Sequence, residues 1–295
     1  MLNTSIGGLR IAPECVPCIM DQLLRATKAA TTDESIQFEV VRQVGMEILN
    51  GDLNRPTAEF SSLVYHVIKD LTGVEDPYDQ IKKQHNDKAL TLYPTLAKIV
   101  EEDHHDPFQT ALKFSVAGNI IDLGAFKHAR VEDVVETANK KEFTINDSSA
   151  LKKAIIESPL PIVFLADNAR ETVFDKLLMA AISKLRENAR IQVVVKKKPV
   201  VNDVTLKEAY YVGLDRLKNI KVESADVSYP GGIAALRAKV NSTIEKKGVV
   251  LAKGQGNYEI LSEFSGVFFL LVAKCNVAAK ALNVEVGDFV LKHNL

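Results

Sequence analysis

Residues 161–171 read PIVFLADNARE, and the fold is decided here. Pro161–Ala166 run without the polar alternation of a strand that has one wet face, so they predict a strand covered on both sides. Val173, Phe174, Leu177 and Leu178 follow at helical spacing. The same succession recurs around Ile191–Val195 (IQVVV), Gly248–Ala252 (GVVLA) and Val267–Val272 (VFFLLV), with room for helices between, such as 172–187 and 205–217. Buried strands alternating with helices predict an α/β protein with a doubly wound, mostly parallel sheet. In such sheets ligands bind beyond the C-terminal ends of the strands.

Upstream the pattern is helical. Ile19, Leu23, Leu24 and Ala26 form one stripe; Ile36, Val40, Val41, Val44 and Ile48 form a second; Phe60, Leu63, Val64, Val67 and Ile68 form a third. Asp33 or Ser35 suits the start of the second helix, and Gly73 the end of the third. A longer polar helix spans 78–100 and is expected to bend or split at Pro94, which lacks a backbone donor. The polar segment 101–107 (EEDHHDP) closes this region. The expected organisation is a helical N-terminal domain over 1–110 and an α/β domain over 111–295.

The 37 basic and 38 acidic side chains give a net charge of -1. A general nucleic-acid binder needs a strong basic excess, so none is expected as a partner. The longest uncharged apolar run, 264–273, is about half of the ~20 residues a membrane span requires. The opening MLNTSIGGLR lacks the basic and apolar segments of a secretory leader. Three cysteines make no disulfide framework. The expectation is a reduced, cytoplasmic protein with no membrane partner.

The strand ends carry the chemistry. Asp167 and Asn168 suit a helix cap, and equally a hard-cation site, since carboxylate and amide oxygens are the donors that Mg²⁺ or Mn²⁺ accept. Thirty-six residues on, IQVVV leads through Lys196, Lys197 and Lys198 to Asn202 and Asp203. The lysines read as a solvated strand exit. The separation of Asp167 and Asp203 is that of one βα unit, so two neighbouring strands deliver two carboxylates to one crevice. GVVLA runs into Lys253, Gly254, Gln255, Gly256, Asn257, Tyr258 and Glu259. A lysine beside two glycines offers a point charge and closely approaching backbone N–H groups to an anion. In 114–124 (FSVAGNIIDLG), Gly118 and Asn119 suit a turn that presents an amide to the cleft.

Cys15 and Cys18 form CVPC, which fits a redox pair, half of a zinc site or two structural thiols, the last being preferred. Cys275 is placed in the core, and His104 and His105 in solvent.

ECVPC, AGN at 117–119, ADNARE at 166–171, KPVVND at 198–203 and KGQGNYE at 253–259 together resemble the damage-control phosphatases, and CVPC is similar to their prokaryotic and archaeal subfamily. The resemblance spans nearly the whole chain in motif order. It implies a helical N-terminal region, a Rossmann-like sheet and a divalent cation, Mn²⁺, Ni²⁺, Co²⁺ or Mg²⁺. It also implies hydrolysis of phosphomonoesters of small metabolites. Carried over by motif, Asp167, Asn168 and Asp203 are the metal ligands. Asn119, Glu171 and Lys253 fall in the substrate pocket, where Lys253 and the amides of Gly254 to Gly256 hold phosphate oxygens. Glu171 is a candidate base for water. Arg170 stands where the family often has glycine. Asp167 is expected to act as a ligand rather than a nucleophile, because the haloacid-dehalogenase phosphatases carry a second aspartate where Ala169 stands. A methyltransferase using adenosylmethionine and a non-catalytic phosphometabolite binder are the rival readings.

Overall fold

Side chains alternate along a strand, so a strand whose every residue is apolar must be covered on both faces. All four residues of Ile162–Leu165 are buried. Each such side chain taken from water contributes roughly 1.5–3 kcal/mol. In the computed structural model, which describes residues 9–53, 55–118, 130–227 and 233–295, the covering is done by helices.

The chain begins with α1 (Cys15–Ala30), α2 (Glu34–Asn50) and α3 (Thr57–Thr72), followed by α4 (Asp79–Glu102), α5 (Pro107–Ala117) and α6 (Val131–Lys140). It continues as β1 (Phe143–Asn146), α7 (Ser148–Glu157), β2 (Ile162–Leu165), α8 (Glu171–Leu185), β3 (Ile191–Lys196), α9 (Leu206–Tyr211) and β4 (Ile220–Ala225). It ends with α10 (Ile233–Glu245), β5 (Val250–Lys253), α11 (Gly254–Leu261), β6 (Val267–Val272), α12 (Asn276–Leu282) and β7 (Phe289–His293).

The strands form one sheet in the order β1-β7-β6-β5-β2-β3-β4. Every neighbouring pair is parallel except β6 with β7. From β2 the chain steps outward through β3 to β4, then returns to lay β5 on the other side of β2. The β2–β5 boundary is therefore the point where the winding reverses, the place where this architecture opens a crevice. Phe164, Val193, Val195, Leu251 and Leu270 face one core, shared with α4, α5, α6, α7 and α8. Val163, Leu165, Val194, Val250, Ala252 and Phe269 face the other, with α10, α11 and α12. A third core joins α1, α2 and α3 and takes in Val200 from the turn after β3.

Local signals explain some of the helix ends. The Asp33 carboxylate accepts from the backbone N–H groups of Ser35 and Ile36, and Gly73 closes α3 in the left-handed region at φ 74°. Two expectations need correction. The helix α4 does not split at Pro94 but continues through it, because Leu92, Leu96 and Val100 hold that face in the core on either side of the missing donor. The helix expected over 205–217 stops at Tyr211, since Gly213 takes φ 75° and leads into a short 3-10 turn, Leu214–Arg216. No described helix is long and apolar enough to cross a membrane.

Candidate active site

Because β2 and β3 pair in parallel, with Leu165 opposite Val194, the segments that leave them start side by side. The backbone then ties them together. Val204 N–H donates to the Asp167 carbonyl at 2.9 Å, Ala169 N–H donates to the Asn202 carbonyl at 2.9 Å, and Asn168 and Asp203 form an isolated antiparallel bridge. Asp167, Asn168 and Asp203 thus line one cleft of about 400 Å³. Its opposite wall comes from α1 and α3 and includes Cys18, Gln22, Arg25 and Ser61.

The third side is the start of α11. Gly254 sits at φ 79°, a conformation that L side chains rarely adopt. A Cβ added there would lie 2.0 Å from Asp167 Oδ2, so the glycine is what makes room for the carboxylate. Gly256 lines the cleft and has no atom within 4 Å of where its Cβ would be.

Electrostatics follow from burial. The Asp203 carboxyl is pushed up to about 7, chiefly by burial, with Asp167 adding to the shift and Lys196 and Lys274 opposing it. It accepts no hydrogen bond from the described residues. Asp167 is raised too, by burial first and then by Glu171. Asn168 Nδ2 donates to Asp167 Oδ2 at 2.8 Å and to Glu171 Oε2 at 3.1 Å. Two close carboxylates held in low dielectric, beside an amide, form an oxygen-donor set whose repulsion a cation removes.

Lys253 is fully buried, and its ammonium lies away from the cleft lining. Its Nζ donates to Glu171 Oε1 at 2.5 Å, Asp175 Oδ1 at 2.8 Å, Ser115 Oγ at 2.7 Å and the Ser115 carbonyl at 3.1 Å. Burial disfavours its charge, but Asp175 and Glu171 more than offset that and hold the lysine above its usual range. Asp175, also buried, is raised to about 7 by desolvation. Glu171 therefore joins two systems, Lys253 on one side and the Asn168 amide on the other. Arg170 closes this region by donating from Nε to the Gly118 carbonyl at 3.1 Å. Asn119 lies outside the described residues.

The cleft contains groups that sequence reasoning passed over. Lys196 is buried rather than solvated, because it points to the α11 side, where Nζ donates to Asn257 Oδ1 at 3.0 Å. Lys274 and Glu259 line the cleft as well, and burial raises the Glu259 carboxyl. Cys275 is half-buried rather than in the core and accepts from Gln255 Nε2 at 3.4 Å. All three cysteines are free thiols; Cys15 is buried and Cys18 exposed at the cleft. Elsewhere, Asp76, Asp79 and Glu208 bring carboxylate oxygens within 4.8 Å of one another, a spacing compatible with a divalent cation. There Lys82 Nζ already lies 2.6 Å from Asp76 and 2.9 Å from Glu208.

The damage-control phosphatase ARMT1-like domain matches residues 11–290. The chain belongs to this family. It is 31% identical over 291 residues to a damage-control phosphatase of Archaeoglobus fulgidus, covering 96% of this chain and 99% of that one. It is 30% identical to a damage-control phosphatase of Pyrococcus horikoshii, covering 97% and 99%. The crystal structure of a DUF89 family protein from Pyrococcus horikoshii superposes with a TM-score of 0.83 at 28% identity, again over 97% and 99%. Within this ARMT1-like architecture, the motifs around Asp167, Asp203 and Lys253 lie at the ends of β2, β3 and β5, which are neighbours in the sheet.

Proposed function

We propose that this member of the damage-control phosphatase family is a cytoplasmic, metal-dependent phosphomonoesterase acting on small phosphorylated metabolites. The observation that carries the reading is the meeting of Asp167, Asn168 and Asp203 in one cleft at the sheet's switch point. These three residues would hold the divalent cation, Mn²⁺, Ni²⁺, Co²⁺ or Mg²⁺. When bound, it supplies charge neutralisation at the phosphate oxygens. Lys196 and Lys274 bring positive charge to the same cleft, beside the backbone at Gly254 to Gly256. Glu171 and Lys253 act as positioning residues, because the Lys253–Glu171 pair fixes the acceptor of the Asn168 amide. A methyltransferase reading lacks support in the turn after β1, where Asp147 and Ser148 stand in place of a glycine-rich loop.

The test is phosphate release from a panel of sugar phosphates and nucleotides with Mn²⁺, with and without EDTA. Metal-dependent release that EDTA abolishes is expected. Metal-dependent binding of the same compounds without release would instead make the protein a binding module.

Acidity gives a second test. The folded chain holds protons on Asp203 and Asp175 up to about 7, whereas the unfolded chain releases them near ~3.9. Between these values the folded state binds more protons, so their stabilising effect is present at the acid end and lost as pH rises through 7. A melting temperature measured in EDTA is expected to fall between about pH 5 and 8, all else in the buffer being equal. Mn²⁺ must displace the Asp203 proton, so its affinity by calorimetry should weaken by up to about tenfold per pH unit below 7. A pH-independent affinity would remove Asp203 from the ligand set.

A further inference from the structure

Two lysines end the strands that flank β2, Lys196 on β3 and Lys253 on β5, and they point to opposite faces of the sheet. Lys253 is 0% exposed and is not among the residues that line the cleft. Its ammonium is spent on Glu171, Asp175 and Ser115. The lysine that the sequence offered to phosphate therefore positions Glu171 from behind the site. Lys196 differs, because it keeps 7% of its surface exposed and lines the cleft together with Asp167, Asn168 and Asp203.

An ammonium carries three N–H donors. One goes to Asn257 Oδ1 at 3.0 Å, and no other hydrogen bond or ion pair engages Lys196 Nζ among the described residues. That acceptor is neutral and held in place. Asn257 is buried, and its Nδ2 donates to the carbonyls of Lys253 at 2.7 Å and Ala166 at 3.1 Å. Those two bonds fix which end of the amide meets the lysine. A buried ammonium without a paired carboxylate is costly. Its compensation here comes from farther off, since the charge of Lys196 opposes the upward shifts of both Asp167 and Asp203.

A divalent cation held by Asp167 and Asp203 would take up that compensation. Lys196 would then keep two unspent donors and an unbalanced charge beside the cation, and a phosphate supplies the acceptors and the charge that both require. The other cations of the cleft lack this need: Arg25 pairs with Asp21, and Lys274 is exposed to water.

We propose that Lys196 is the substrate-binding residue that holds the phosphate of the monoester, and that Asn257 positions its ammonium for the task. The inference rests on the phosphatase reading and adds to it the group that grips the anion.

The experiment is calorimetric titration of the full chain at one pH, with Mn²⁺ and then, in the presence of Mn²⁺, with inorganic phosphate. Lys196→Met keeps the stem and removes the charge. It should bind phosphate at least about tenfold more weakly, the scale of a hydrogen bond to a charged group. It should bind Mn²⁺ at least as tightly as the native chain does, and up to about tenfold more tightly, because a neighbouring positive charge is gone. General damage to the cleft would weaken both. Lys196→Gln retains a donor for Asn257 and should shift the two affinities in the same directions; it replaces the methionine variant if that one fails to fold. Native phosphate affinity in a folded variant, or weakened Mn²⁺ affinity, would overturn the proposal and leave the phosphatase reading standing. A native chain that binds Mn²⁺ but no phosphate would overturn the proposal too. A native chain that binds no Mn²⁺ would overturn the reading of the cleft, and this inference with it.

Discussion

Asp203→Ala is expected to lower Mn²⁺-dependent phosphate release by at least about two to three orders of magnitude, the scale on which removing one stabiliser of transition-state charge is felt. The reason is local. Asp203 closes the donor set from the β3 side, and its carboxylate takes no hydrogen bond from the described residues, so none of them competes with a cation for it. The same fact predicts an unusual stability pattern. In EDTA near pH 8 the native carboxylate is half-buried and charged, and its desolvation together with repulsion from Asp167 outweighs the attraction of Lys196 and Lys274, so its removal should leave the melting temperature unchanged or raise it. Native protein should gain stability from Mn²⁺ by mass action, and the variant should gain little. Calorimetry with and without Mn²⁺, run beside the phosphate assay, reads both effects. Undiminished turnover in the variant would remove the cation from the β2–β3 junction. Lost turnover with undiminished Mn²⁺ stabilisation would separate Asp203 from metal binding and leave it a role in catalysis alone.

The parts of the molecule that were readable in the sequence are those where a single local pattern has one physical cause. The strands β2, β3, β5 and β6 are buried on both faces, so their apolar runs announce them. At the margin of the sheet, β4 mixes half-buried Ile220, Val222 and Glu223 with exposed Lys221 and Ser224, a pattern that reads equally well as loop. The other edge strand, β1, has four residues, too few for periodicity. β7 pairs antiparallel with β6, a departure that no βαβ count foretells. At the site, Asp167 and Asp203 were visible because each ends a buried strand.

Lys253 was visible as well, but not the direction of its side chain. Leu251 faces the α5–α8 core, and Lys253, two residues on, faces the same way. Its partners there could not be read locally. Ser115 lies 138 residues away on α5. Asp175 follows Glu171 by four residues on α8, a spacing that an exposed helical face shows just as often. The buried position of Lys196 has the same origin, since it shares the face of Val194 and meets Asn257 on α11.

Gly254→Ala joins the stability of the fold to the geometry of the donor set. Two penalties fall on one atom. At φ 79° an alanine adopts the left-handed region, at a cost of roughly 1–2 kcal/mol. Its Cβ would also stand 2.0 Å from Asp167 Oδ2 and 2.2 Å from Cγ, distances at which the carboxylate must move. That side chain is buried and takes a hydrogen bond from Asn168, which in turn donates to Glu171, so displacement reaches the Lys253 network. The expected result is a melting temperature lower by roughly 4–10 °C, from about 2–4 °C per kcal/mol for a chain approaching this size. Weakened Mn²⁺ affinity should accompany it, because Asp167 no longer faces Asp203 as before. Gly256→Ala is the matched control: it lies two residues on, lines the same cleft, and its added Cβ meets nothing within 4 Å. It keeps its backbone N–H, so stability and Mn²⁺ affinity should both stay close to native. Equal behaviour of the two variants would mean that Asp167 is not seated against the start of α11, and the donor set would have to be rebuilt without it.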